Sequence, residues 1–503
     1  MHALRDRPFS EQHEDALVIA LPRARPHQRA WRRLRSVSPA TWAAAGIAGV
    51  TAFTTLWRLT VASWHVDEVL FAFTGRSMLA GDFSRLWQHP PLAMLLYGVG
   101  QELPGSELLG VRVVAAGFGM ATGALVYVLA RQLAGHRAAL IAAGLWAVLP
   151  HVTHPLGADV LVPRLDRYGL LDVVASGFMV GALVTGWQWV TTATPRSRRA
   201  TGVLVGLAAA AKLTGLLVLP GIAAFVIWHR GWRGLREIAR TALLAAAVFA
   251  VCYLPFGTTA IDALGQMVRF QSEHLERGHS VVIDGVVRQH APWWAQFHFM
   301  WEGDGPLVVV PLVLAAVAAV ALIRRPAVVY VAAAVVVPVV VMSSSGVSLP
   351  HYRYVWLAPF LLLAALGLDR ALSSGGWRRV GAFALAVPLA VAGVVTTWRV
   401  ITLEPSDYRR AAMLIREAGL EDGTVLAHGQ LPIFRGELPD TDRVRLPEVG
   451  ASPPDVVIVD RLYERRHPRP EVRDVARSLG LERVQVDRLD VFLPPDAAQD
   501  LSG

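Results

Sequence analysis

The sequence predicts an all-α polytopic membrane bundle of about eleven transmembrane helices, followed by a small C-terminal α/β domain. Three observations carry this expectation. Hydrophobic residues fill 54% of the 503 positions and charged residues only 17%, whereas a soluble domain carries about 25% charged residues. Apolar runs of spanning length alternate with short arginine-rich stretches up to about residue 400. Beyond about residue 401 that alternation stops and short β-branched runs begin.

A membrane helix needs about 20 mostly apolar residues. The first span falls at 39–62 and is followed by a polar stretch from Trp64 to Pro91. Residues 92–104 are apolar but short, and Pro104-Gly105 ends them, so they read as an interfacial or re-entrant helix. Further spans fall at 108–130, 138–156, 168–192, 200–214, 216–229, 239–256, 305–323, 326–345, 352–369 and 379–399, which makes eleven crossings. The pair 200–214 and 216–229 meets at Lys212-Leu213-Thr214-Gly215, and each half is short for a crossing.

Charge gives the bundle a direction. Residues 1–38 form an arginine-rich tail with eight arginines, too polar for a cleavable leader. Arg131 and Arg137, then Arg196, Arg198 and Arg199, then Arg230, Arg233, Arg236 and Arg240, then Arg324 and Arg325, then Arg378 and Arg379 fall in loops on the same side as that tail. The opposite loops 63–107 and 257–304 hold five acids against two arginines and six acids against three. The positive-inside rule therefore predicts a multi-pass plasma-membrane protein with its N-terminus in the cytoplasm and, with an odd span count, the α/β domain 401–503 outside. The arginines behind the net charge of +9 flank apolar spans, so nucleic acid is not an expected partner. Cys252 is the only cysteine, which excludes an intramolecular disulfide and a cysteine metal site.

The last hundred residues carry soluble-domain signals. Ser406 to Ala418 reads as an amphipathic helix, and 424–427 and 456–459 as buried strands. Glu471 to Leu479 reads as a second helix and 484–493 as two strands. No glycine-rich phosphate loop accompanies them.

Ionisable groups near membrane depth are costly and call for a reason. Asp67 and Glu68, in Trp64-His65-Val66-Asp67-Glu68, leave the first span on the acid-bearing side. They read either as a general base at a partly dehydrated boundary or as a solvated acidic pair. Arg167 and Asp172 flank the start of the span at 168–192, where an ion pair between them is the plainer explanation. Lys212, the only lysine, and Arg353, in His351-Tyr352-Arg353-Tyr354, are cations predicted at the same membrane face. Together they suit a phosphate; separately each is open to snorkelling toward lipid headgroups. The loop 257–304 adds His274, His279, His290 and His298, which with His89 are candidate ligands for a divalent metal, although no compact His-x-x-x-His spacing is present.

In this order the segments resemble the GT-C membrane glycosyltransferases, above all the family-39 protein O-mannosyltransferases and the lipid A aminoarabinose transferases. The resemblance rests on Asp67-Glu68, His89-Pro90-Pro91-Leu92, the Arg-x-x-x-x-Asp of Arg167 and Asp172, Gly206-Leu207-Ala208 with Lys212 and Gly215, Gly278-His279 with Pro292-Trp293-Trp294, and Arg353-Tyr354. These motifs lie within roughly residues 40–370. The resemblance implies a GT-C module at 39–400 that moves a sugar from a polyprenyl-phosphate donor to a protein or glycan hydroxyl, with inversion. It also implies Asp67 as the catalytic base. Glu68, His89, Arg167, Asp172, Lys212, His279, Arg353 and Tyr354 would bind substrate, and the loop 257–304 would act as a lid. The lumenal β-trefoil that many protein mannosyltransferases carry is missing from the sequence, which leaves the acceptor open. A different class, a transporter or lipid flippase, would show repeated halves and polar groups near the midplane; here the polar residues gather at one predicted face.

Overall fold

The computed structural model describes residues 38–500, apart from 86, 153, 156–160, 163, 323–324, 406, 439–441 and 445–452. The arginine-rich segment 1–37 lies outside the described residues. The chain divides into two units, Met1–Ala45 and Gly46–Gly503, and the described elements beyond residue 45 belong to the second.

Helices dominate up to residue 401. In chain order they are α1 (Pro39–Leu56), α2 (Val66–Leu79), α3 (Leu92–Gln101), α4 (Glu107–Ala134), α5 (His136–Val148), α6 (Leu171–Thr192), α7 (Pro195–Ala211), α8 (Val218–Arg230), α9 (Gly234–Val251), α10 (Ala260–Arg277), α11 (Ala295–Asp304), α12 (Pro306–Leu322), α13 (Pro326–Ser344), α14 (Tyr354–Ser373) and α15 (Trp377–Ile401). Six helical segments among the described residues are long and apolar enough to cross a membrane: Glu107–Ala134, Leu171–Thr192, Leu213–Val251, Pro326–Ser344, Pro350–Ser373 and Trp377–Ile401. The chain is a multi-pass membrane protein built on a helical bundle.

Several expected spans are shorter in the structure. The expected span 138–156 ends as a helix at Val148, and 305–323 becomes Pro306–Leu322, a 17-residue helix. The boundary at Lys212 is a real break. Helix α7 stops at Ala211, Lys212 is extended with φ −158°, and a 3₁₀ turn at Leu213–Leu217 leads into α8. Gly215 explains the tightness of that turn, because a Cβ there would lie 2.4 Å from the Ala208 carbonyl oxygen. The loop 257–304 is more structured than its composition suggests. It holds α10, a hairpin of β3 (Val281–Ile283) and β4 (Val286–Arg288), and α11. An earlier two-stranded ribbon joins β1 (His154–Pro155) to β2 (Leu161–Val162).

Residues 407–500 hold a mixed sheet in the order β6-β5-β7-β9-β8, with β5 Thr424–His428, β6 Asp442–Val444, β7 Val456–Asp460, β8 Glu482–Val486 and β9 Leu489–Leu493. Strand β5 runs parallel to β6 and β7, while β9 runs antiparallel to β7 and β8. Every residue of the central strand β7 is buried, as expected of a Val-Val-Ile-Val run covered on both faces. The short helices Leu431–Glu437, Arg461–Arg466 and Pro495–Asp500 carry no period long enough to be foreseen from sequence. This segment is part of the same compact unit as the helices. It seats on residues 63–65: the Trp64 amide donates to Glu437 Oε1 at 3.1 Å, and the Arg409 amide donates to Ser63 Oγ at 3.2 Å.

Candidate active site

Helix α2 sets the central geometry. His65 caps its start, with the Asp67 amide donating to His65 Nδ1 at 3.2 Å and the His65 amide donating to Glu68 Oε2 at 3.2 Å. Consecutive residues on a helix point about 100° apart, so the two carboxylates part company. Asp67 lines a cavity of about 270 Å³ and keeps 34% of its side chain exposed. Glu68 turns inward and is fully buried.

Glu68 is consumed by structure. Arg112 of α4 grips it through Nε to Oε1 at 3.0 Å and Nη2 to Oε2 at 2.9 Å, and the Gly169 amide adds a 2.8 Å bond to Oε1. The same guanidinium bonds the carbonyls of Leu59, Ala62 and Ser63. One buried ion pair thus ties the end of the first helix, the start of α2 and the approach to α6 together. Glu68 is expected from the resemblance to touch substrate, but its oxygens face Arg112 and backbone amides rather than the cavity.

The cavity collects Asp67, Gln88, His89, Asp172, Lys212, Thr214, Gln271, His274, His279, His351 and Tyr352 among apolar side chains. Lys212 Nζ meets both oxygens of Asp172 at 2.7 and 2.8 Å and stands 4.4 Å from the centre of the Tyr352 ring. His351 Nε2 lies 4.0 Å from Asp172 Oδ2. His89 packs edge-on to Phe71, with ring centroids 5.6 Å apart. Burial, reinforced by Lys212 and His274, holds the His89 imidazole down at about 3, so it is neutral near pH 7. Burial also depresses His65, to about 4, against the opposing pull of Glu68. The rings of His274 and His279 lie 5.4 Å apart. Among the described residues, these cavity histidines do not form a three-ligand metal group.

Of the residues singled out in the sequence, the structure brings Asp67, His89, Asp172, Lys212, His274 and His279 to one cavity. The others lie elsewhere. Arg167 does not pair with Asp172. It donates instead to the carbonyls of Thr54, Thr55, Trp57 and Arg58, closing the end of α1, where unpaired carbonyls attract a cation. Arg353 does not join Lys212. It is buried and donates through Nη2 to Asp304 Oδ1 at 3.0 Å. Tyr354 is fully buried, its ring 6.0 Å from that of Trp146. The cavity uses the two preceding residues of the same motif, His351 and Tyr352. The His351-Tyr352-Arg353-Tyr354 run pointed to the right turn, but the facing of a 3₁₀ turn at Pro350–Arg353 is set by packing.

Chemically, the cavity pairs a part-exposed carboxylate with a lysine held against a second carboxylate. The lysine and the neutral His89 imidazole offer donors for an anionic group, and the apolar wall lowers the local dielectric.

Comparison with known proteins points the same way. Residues 88–257 match the family model described as dolichyl-phosphate-mannose-protein mannosyltransferase. An undecaprenyl phosphate-alpha-4-amino-4-deoxy-L-arabinose arabinosyl transferase of Pseudomonas aeruginosa is 29% identical over 249 residues, covering 46% of this chain and 42% of that protein. A polyprenol-phosphate-mannose–protein mannosyltransferase of Corynebacterium glutamicum is 29% identical over 253 residues, covering 42% of this chain and 45% of that protein. The chain thus spans less than half the length of these two curated relatives. The crystal structure of ArnT from Cupriavidus metallidurans bound to undecaprenyl phosphate superposes with a TM-score of 0.57 at 17% identity, covering 90% of this chain and 98% of that one. Motif order, matched segment and superposition agree that this chain is built on the GT-C fold and resembles the membrane glycosyltransferases of that class.

Proposed function

We propose that the protein is an inverting membrane glycosyltransferase that moves a sugar from a polyprenyl-phosphate donor to an acceptor hydroxyl of a protein or cell-envelope glycan, on the extracytoplasmic face. The observation that carries this proposal is the cavity in which Asp67 stands with the Lys212–Asp172 pair. The relatives that this chain resembles use undecaprenyl- or polyprenol-phosphate sugars by their names, and ArnT holds undecaprenyl phosphate in the superposed crystal structure.

Asp67 is the carboxylate suited to act as base. Both oxygens of Asp172 are engaged by Lys212, and Glu68 is locked to Arg112, whereas Asp67 faces the cavity part-exposed. In the proposed step the acceptor oxygen attacks the anomeric carbon as its proton passes to Asp67. The bond from that carbon to the phosphate oxygen breaks, and the electron pair leaves with the polyprenyl monophosphate. A single displacement of this kind inverts the centre. Lys212, helped by the donors around it, offsets the growing phosphate charge in a water-poor site. His89 and His279 line the donor side, Asp172 keeps Lys212 in place, and Glu68, Arg167, Arg353 and Tyr354 act through the framework. In this proposal residues 39–400 are the catalytic module, 401–503 an extracytoplasmic segment, and 1–38 a cytoplasmic tail.

The test is a donor screen with the purified full chain and labelled polyprenyl-phosphate mannose, glucose, arabinose and galactose. Transfer to a hydroxyl acceptor with inversion is expected from one of them. Retention at the anomeric centre, or an unchanged rate in Asp67→Asn, would overturn the mechanism.

A further inference from the structure

Away from the cavity, three side chains of metal-ligating type converge on the hairpin. Asp284 sits in the β3–β4 turn; His298 and Glu302 lie one helical turn apart on α11. One ligand atom from each falls within 4.8 Å of the others. His298 Nε2 stands 3.2 Å from Glu302 Oε2 and 3.8 Å from Asp284 Oδ1. That nitrogen is buried and makes no hydrogen bond among the described residues. An imidazole and two carboxylates at this spacing suit a divalent transition cation. Zinc takes nitrogen and oxygen ligands at about 2.0–2.2 Å, so two ligand atoms around it stand up to ~4 Å apart. The i, i+4 placement of His298 and Glu302 puts both on one helix face.

We propose that Asp284, His298 and Glu302 form a zinc-type cation site that staples the outer hairpin to α11. The staple has a lever. Val281 and Ile283 of the hairpin already pack on Ala295 and Phe299 of α11. His279, which lines the candidate active-site cavity, lies two residues before β3. Fixing the hairpin therefore fixes one wall of that cavity without placing the ion in it.

The experiment uses the full chain in nanodiscs, stripped with chelator and titrated with zinc chloride. Bound metal is measured directly, and hydrogen exchange is followed over residues 278–304. The expected result is one equivalent of zinc, slower exchange in the hairpin, and retention of both in Asp67→Asn. Asp284→Asn, at a 70% exposed side chain that can change without a folding cost, and His298→Gln are each expected to weaken zinc binding about tenfold or more. Zinc binding of parental strength in both variants would overturn the site. So would the absence of binding by the parent, or loss of the ion in Asp67→Asn.

Discussion

Asp67→Asn and Glu68→Gln should fail in opposite ways, although they alter adjacent residues by the same single-atom change. Glu68 is fully buried, bonded twice to Arg112, and accepts from the Gly169 and His65 amides. Its replacement leaves the Arg112 guanidinium buried without its counter-charge and turns an acceptor oxygen into a donor facing backbone N–H groups. Breaking a buried pair from one side costs about 3–5 kcal/mol. Asp67 keeps 34% of its side chain exposed, and His65 Nδ1 stands 3.9 Å from its Oδ2. Amide replacement there should change stability by roughly 0.5 kcal/mol or less, yet remove a base worth about 10²–10⁴ in rate. The assay pairs denaturant unfolding in detergent with sugar transfer on the same preparation. Glu68→Gln is expected to unfold early, and Asp67→Asn to be stable and inactive. Equal destabilisation of the two variants, or a fully active Asp67→Asn, would refute the division of labour drawn from the helix geometry.

Further outcomes follow from other contacts. Lys212→Met strips a charge-assisted pair worth about 1.5–3 kcal/mol, so binding of polyprenyl phosphate should weaken by roughly 10- to 100-fold; thermal-shift titration with the lipid checks this, and parental affinity would remove Lys212 from the phosphate site. The same change leaves Asp172 almost wholly buried without its cation, and adding Asp172→Asn should restore much of the lost stability. Gly75→Ala should destabilise the α2–α3 crossing by about 1–3 kcal/mol or more, because its Cβ would lie 2.0 Å from the Met94 carbonyl oxygen and 2.8 Å from the Gly98 nitrogen; an unchanged unfolding midpoint would contradict that close approach. His65 and His89, lowered to about 4 and about 3 from 6.5, are neutral when folded, so the unfolded chain binds more protons below pH 6.5. Their share of the stability should be level above that pH and fall below it, by roughly 1 kcal/mol per group at pH 5.5, while Asp407, pushed up to about 7 by burial, works in the opposite sense as the pH falls. His89→Gln should remove one share of that fall in unfolding measured from pH 5.5 to 7.5.

The membrane character of the chain was legible without a structure because it depends on composition and local hydropathy. Apolar runs such as 379–399 and 326–345 appear as helices Trp377–Ile401 and Pro326–Ser344, with boundaries close to those read from the residues. The break at Lys212 was legible too, since two half-length runs meeting at Lys212-Leu213-Thr214-Gly215 could not form one uninterrupted apolar helix. Five candidates picked by residue type and motif order, Asp67, His89, Asp172, Lys212 and His279, share one cavity. Residue type alone could not say which carboxylate of Asp67-Glu68 faces that cavity, or which residue of His351-Tyr352-Arg353-Tyr354 does.

Those choices belong to tertiary structure. Helix phase at α2 is set by the His65 cap and by Arg112, which lies 44 residues away from Glu68 in sequence. Arg167 was assigned to Asp172 because they are neighbours in the chain, yet the carbonyls ending α1 claim it across more than a hundred residues. Lys212 finds Asp172 across the contact between α6 and α7, and Arg353 finds Asp304 instead of a place in the cavity. Hydropathy is summed residue by residue and can be read along a line. A buried charge takes the partner that packing brings within about 3 Å, and that partner is fixed only when the helices meet.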